Sequence, residues 1–320
     1  MEKENVTRIN TIHLLGFQTQ ENVKFFMFFL FFITFCFTLC GNVLIIVLVS
    51  YNKILHSPMY FFLSQLSLTD ILLASDIIPN LLQSILVRET IISLSDCLSQ
   101  FYFFCVAEIF ESLLLTLMSY DRYLAICKPL HYSMIMNHQC CCIFITTCWT
   151  LSILISLVYP LTISKLQFCG PNVIDHFFCD LDPILKLSCS DTAIVQLQVI
   201  LLSLLFAVIP FVIIIVSYVY IIVTVFEIPS ITGRQKVFST CSSQLAVVSI
   251  YYGTTACVYM VPSKGQSLNV RKVLSLPYTV LTPLMNPIIY TLRNKDLKNA
   301  VKKAFNKLLL CILFINKNRM

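Results

Sequence analysis

Charge vanishes from the chain for long stretches. From Phe25 to Ser50 the sequence reads FFMFFLFFITFCFTLCGNVLIIVLVS, without one charged residue. A helix needs roughly 20 mostly apolar residues to cross about 30 Å of hydrocarbon, and runs of that size recur along the chain. Bounded by charges and turn residues, they fall at 23–50, 57–86, 97–121, 140–163, 194–226, 236–261 and 270–292. An eighth patch, Leu308 to Ile315, is too short to span. Beyond the last run, Leu297, Val301, Ala304, Phe305 and Leu308 fall on one helical stripe, with Lys298, Lys302, Lys303 and Lys307 on or beside the other face. That pattern predicts a helix lying in the membrane interface. The expected fold class is an all-α membrane protein, a seven-transmembrane helix bundle followed by a short amphipathic cytoplasmic helix.

Composition agrees with lipid as the solvent. Of 320 residues, 58% are hydrophobic and 12% charged, and a mean hydropathy of +0.83 leaves too little polar surface to cover a water-soluble globule. Inner loops are too brief to house a catalytic domain, while the outer loop, 164–193, is the longest. An odd number of spans puts the termini on opposite sides. With residues 1–22 outside and 293–320 inside, thirteen Lys and Arg face inward and nine outward, the sense of the positive-inside rule. A glycosylation sequon at Asn5 fits an extracellular N-terminus. The first span reads as an uncleaved signal anchor. The net charge of +6 comes largely from the tail, which suits anionic lipid headgroups and not nucleic acid.

Fifteen cysteines divide by compartment. Cys97, Cys169, Cys179 and Cys189 fall on the outer side, where an even number predicts disulfides and allows three pairings. The rest act as small apolar side chains, with Cys127 and Cys311 near the inner surface as candidates for S-acylation.

Four acids interrupt the spans: Asp70, Asp76, Glu108 and Glu111. An aspartate at a helix centre in lipid costs roughly 2.5–3.5 kcal/mol, so each acid needs a partner or a polar cavity. Glu108 and Glu111, three apart, share a helix face. Should Asp70 and Glu111 meet beside Ser67, the oxygens would suit Na⁺ or a shared proton, and equally a plain hydrogen-bonded acid pair. Enzymatic signatures are missing: there is no His-Glu-x-x-His, phosphate loop or Gly-x-Ser-x-Gly. His176 with Cys179, Asp180 and Asp182 has a faint metal-ligand spacing, but Cys179 is better used in a disulfide. A transporter would show inverted repeats, and none is visible.

The third apolar run ends on Asp121-Arg122 and passes into a polar turn with Lys128-Pro129 and His131. This stretch, MSYDRYLAICKPLHY (Met118 to Tyr132), has companions: LHSPMYFFLSQLSLTD (Leu55 to Asp70), KVFSTCSSQL (Lys236 to Leu245) and PLMNPIIYTLRNKDLKNA (Pro283 to Ala300). Together with Gly41-Asn42 and Trp149 they resemble the hallmarks of odorant receptors, a family of rhodopsin-like G-protein-coupled receptors, in order and spacing.

The resemblance implies a cell-membrane receptor that binds small volatile organic ligands and activates a stimulatory, olfactory-type heterotrimeric G protein, raising cAMP, with no enzymatic activity of its own. A chemosensory role of the same fold outside the nose is the alternative. It implies that Asp121-Arg122-Tyr123 closes the third helix, with Asp121 holding Arg122 until activation. Tyr218 and Tyr290 become partners that swing toward Arg122, Asn286 and Pro287 loosen the seventh helix, and Asp70 with Glu111 forms an Na⁺ cavity. No other cofactor is implied. It also implies the disulfides Cys97 with Cys179 and Cys169 with Cys189.

In such receptors the ligand pocket lies in the outer half, between the third, fifth, sixth and seventh helices. Helical spacing from Arg122 and Cys97 turns Phe104, Cys105, Glu108, Ile109 and Ser112 inward. The sixth helix offers Tyr251, Tyr252, Thr255 and Tyr259, the fifth Phe206 and the seventh Tyr278. Glu108 departs from the small or apolar residue expected there. Ionised, it favours an amine or a hydrogen-bond donor; burial pushes it toward the neutral form. Tyr251 likewise stands where Phe is common, adding a hydroxyl.

Overall fold

The structure, a computed structural model, describes residues 10–17, 20–87, 89–169, 172–260 and 268–317. Its long helices are α1 (Glu21–Tyr51), α2 (Pro58–Leu86) and α3 (Leu94–Cys127). A short α4 (Pro129–Ile135) precedes α5 (His138–Ser156) and α6 (Val158–Ile163). After α7 (Leu181–Lys186) come α8 (Ala193–Ser203), α9 (Ile209–Glu227), α10 (Ile231–Met260), α11 (Leu268–Leu276), α12 (Thr282–Arg293) and α13 (Lys295–Lys317).

Local chemistry sets several boundaries. Ser93 accepts from the Asp96 amide to cap α3, Asn137 accepts from Cys140 to cap α5, and Asn294 accepts from Asp296 and Leu297 to start α13. Pro58 and Pro129 occupy the first helical turn, where a missing N–H costs nothing. Two π-helical turns, Leu204–Val208 before Pro210 and Pro277–Leu281 beginning on a proline, join α8 to α9 and α11 to α12. Proline disturbs the regular ladder, and the wider turn absorbs the shift.

Among the described residues, five segments are long and apolar enough to cross a membrane: Glu21–Tyr51, Pro58–Leu86, Leu94–Cys127, His138–Ile163 and Ala193–Glu227. α10 and the α11–α12 segment complete the bundle. α3 runs through its centre, packing on α2, α5 and α9. One core cluster surrounds Phe62, Phe110 and Tyr290; the other, at the opposite end, surrounds Ile12, Phe177 and Phe178. Trp149 stacks on Phe110 at 3.9 Å and donates to Gln65 at 3.2 Å, fixing α5 to α3 and α2. A Cβ on Gly41 would sit 3.2 Å from Pro287, and Asn42 donates to the Pro283 carbonyl at 3.1 Å, so α1 lies close against α12.

Some local expectations need correction. The third helix continues to Cys127, placing Asp121 and Arg122 more than a turn before its end and not at its close. The polar turn after it contains α4, whose Pro129 sits in the first turn. The N-terminal segment, which carries no helical or strand signal of note, forms β1 (Thr11–Leu14). This strand runs between β2 (Thr90–Ser93), antiparallel with Thr11 opposite Ser93, and β3 (Val173–Ile174), parallel with His13 opposite Val173. Three distant chain segments thus form one sheet over an end of the bundle. Asn5 lies outside the described residues, as does the side chain of Cys311.

Candidate functional site

Beneath that sheet lies a cavity of about 820 Å³. Phe104, Cys105, Glu108 and Ile109 of α3 line it, with Phe206 from the first π turn, Tyr251 and Thr255 of α10, and Tyr278 from the second π turn. Phe104 packs on Tyr278 at 6.0 Å and on Phe178 at 5.6 Å. Ser112 and Tyr252, expected on the wall, are not among the lining residues. One turn beyond Glu108 on α3, Ser112 hydrogen-bonds the Tyr252 hydroxyl at 3.0 Å, so the two satisfy each other. The side chain of Tyr259 lies outside the described residues.

The wall extends beyond the four helices that sequence reasoning assigned to it. Tyr159 of α6 and the outer loop, including Asp175, His176, Asp180 and Lys186, line it too. Disulfides Cys97–Cys179 and Cys169–Cys189 hold that loop down. The Cys179 amide also donates to Gln100 of α3 at 3.0 Å. The loop's cysteines signalled a lid; nothing local signalled which residues would face inward.

Glu108 sits on the α3 side of the cavity. The Tyr251 hydroxyl reaches its backbone carbonyl at 3.0 Å and its Oε2 at 3.3 Å. One phenolic proton is therefore shared between two acceptors.

Deeper, Asp70 and Glu111 are both buried. Asn286 donates to the two Asp70 oxygens at 3.0 and 3.1 Å, while Glu111 Oε1 and Asn286 Oδ1 are buried with no hydrogen-bond partner among the described residues. Asp70 and Glu111 interact electrostatically, and Ser67 is buried one turn from Asp70. Two carboxylates plus unsatisfied oxygens form a donor set that fits a hard monovalent cation, whose ligands are oxygens. Among the described residues, no group of three or more His, Cys, Asp or Glu side chains forms a metal site.

At the opposite end of the bundle Arg122 pairs with Asp121, its Nε donating to Oδ2 at 2.8 Å. Tyr132 of α4, absent from the sequence-based set, donates to Asp121 Oδ1 at 3.0 Å. Burial, and then the adjacent Asp121 charge, push the Tyr132 phenol above its ordinary pKa, so it keeps its proton. Tyr218 and Tyr290 hydroxyls are buried without a hydrogen-bond partner among the described residues. Tyr123 stacks on Tyr120 and meets Tyr220 edge-on at 6.0 Å.

Comparison with known proteins places the chain in a family and a fold. Residues 29–308 match the family description "Olfactory receptor". Olfactory receptor 1M1 of Mus musculus is 44% identical over 307 residues, covering 96% of this chain and 98% of that protein. Olfactory receptor 10A7 of Homo sapiens is 43% identical over 304 residues, covering 95% and 96%. The crystal structure of squid rhodopsin superposes with a TM-score of 0.75 at 17% identity, over 92% of this chain and 89% of that one, a likeness of fold.

Proposed function

This chain belongs to the olfactory receptor family, a multi-pass membrane protein of rhodopsin-like fold, and we propose from that premise that it converts binding of small volatile organic molecules into activation of a stimulatory G protein that raises cAMP. The observation that carries this reading is a lidded, aromatic-walled cavity at one end of α3 and a restrained Asp121–Arg122 pair near the other. A ligand burying apolar surface gains about 25 cal/mol per Å². Closing the cavity around it biases the helices that frame it. Tyr218 and Tyr290 then have a reason to move, since each gains a partner by turning toward a released Arg122.

The N-terminus is extracellular and the C-terminus cytoplasmic on this reading. Both disulfides lie at the cavity end, which suits an oxidising space. Sodium would be held by Asp70 and Glu111 with Asn286 and Ser67, supplying positive charge between two buried acids. A cAMP-reporter screen of volatile compounds tests the function. Wild-type receptor should respond to at least one odorant and Arg122→Ala, at equal surface level, to none; a response that survives Arg122→Ala would reject the coupling scheme.

A further inference from the structure

Resting on the receptor reading for its physiological meaning, we propose that the cavity selects small organic amines, with the ligand ammonium on Glu108 and its hydrocarbon body against Phe104, Phe206 and Tyr278. Glu108 has no ion pair among the described residues, and its only side-chain hydrogen bond comes from the shared proton of Tyr251, at 3.3 Å. A carboxylate accepts at up to about four lone-pair positions. This one therefore presents unused acceptor capacity to the cavity.

The described lysines near the wall leave Glu108 to the ligand. Among the described residues the wall's acidic members are Glu108, Asp175, Asp180 and Asp182, and its basic member is Lys186. Lys186 pairs with Asp182 at 2.9 Å, and Lys272, outside the lining, pairs with Asp175. Both lysines are thus engaged by aspartates, and neither pairs with Glu108.

Ligand chemistry then decides between classes. An alcohol offers one donor and no charge; an ammonium offers several donors and cancels the acid, and charge-assisted hydrogen bonds are about twice as strong as neutral ones. The cavity falls within the range of roughly 300–1,000 Å³ typical of small-molecule sites. A light volatile leaves much of it unfilled, so a polar anchor fixes orientation where shape does not.

Full-length receptor in lipid nanodiscs is titrated with phenethylamine, cyclohexylamine and isopentylamine, each against the alcohol of the same skeleton, following ligand-induced thermal stabilisation. The amines should bind roughly 10- to 100-fold more tightly than their alcohols. Glu108→Gln, of the same shape, should erase that preference. If no amine outbinds its alcohol, or if Glu108→Gln preserves the preference, the proposal is wrong. Should Glu108→Gln lack a melting transition, the wild-type amine-to-alcohol ratio decides. Amine binding without any cAMP response counts against the receptor reading alone, whereas odorant signalling with no amine preference counts against the ligand class alone.

Discussion

Asn286 of α12 donates its amide to both carboxylate oxygens of Asp70 in α2, at 3.0 and 3.1 Å. Neighbouring Glu111 Oε1 and Asn286 Oδ1 are unsatisfied among the described residues, so this bond is a main polar tie at the bundle's centre. Asn286→Leu leaves Asp70 buried without that donor and should cost about 1–3 kcal/mol. A melting temperature of purified receptor equal to wild type would contradict the tie.

The same cluster gives a salt test. A ligand that binds only the folded state at 100 times its Kd stabilises by about 2.7 kcal/mol. Replacing choline chloride with sodium chloride at constant ionic strength should raise the melting temperature of wild type and leave Asp70→Asn unmoved. Equal shifts in both proteins would assign the effect to bulk salt.

At the cavity end, Lys272 is buried with its ammonium on the carbonyls of Leu15 at 3.0 Å and Gly16 at 2.8 Å, and paired with Asp175. One side chain thereby ties the N-terminal strand to the outer loop and to α11. Lys272→Met strands these acceptors and should cost roughly 1–3 kcal/mol. Hydrogen exchange localises the effect: amides of Thr11–Leu14 should lose protection while the middle of α3 keeps its own. Uniform exchange across both regions would mean that the lysine supports the whole bundle and not the sheet.

Lys272 also marks where sequence reasoning stops. Charge-free runs announce membrane helices because every backbone group in lipid must bond within its own segment. Asp70, Glu108, Glu111 and Arg122 stood out because they break such runs. Sheet pairing carries no comparable local mark: TIHL meets TIIS and VI across long separations. Tyr132 carries no local mark for a similar reason, since only the short α4 turns its hydroxyl back to Asp121. The inward residues of the outer loop depend on where Cys97–Cys179 pins it, which is a tertiary fact.

Gly16 packs so tightly on α2 that an added Cβ would collide with both Cβ and Oγ of Ser84. Ser84 is buried and donates to Leu81 at 2.8 Å, so it has little room to yield. Gly16→Ala should destabilise by about 1–3 kcal/mol, the range for overpacking. Adding Ser84→Gly to Gly16→Ala should restore part of that loss, giving a coupling of roughly 0.5–3 kcal/mol in the double-mutant cycle. Strict additivity of the two substitutions would remove the steric explanation.

The Asp121 carboxylate divides its oxygens between two helices, Oδ2 holding Arg122 on α3 and Oδ1 accepting from Tyr132 on α4. Arg122 can leave Asp121 only against this arrangement, because the Tyr132 bond fixes the carboxylate that restrains it. A hydrogen bond to a charged group contributes roughly 1.5–3 kcal/mol. If it is made only in the resting state, losing the lower figure moves a two-state equilibrium about tenfold toward activity. Tyr132→Phe should therefore raise the ligand-free cAMP signal at equal surface level, and Arg122→Ala in the same background should abolish the increase. Because burial and Asp121 both hold the Tyr132 proton in place, the wild-type restraint should not weaken as pH rises through the neutral range. A basal signal unchanged by Tyr132→Phe would show that active and resting states keep this bond equally, leaving the Asp121–Arg122 pair to set the resting bias without it.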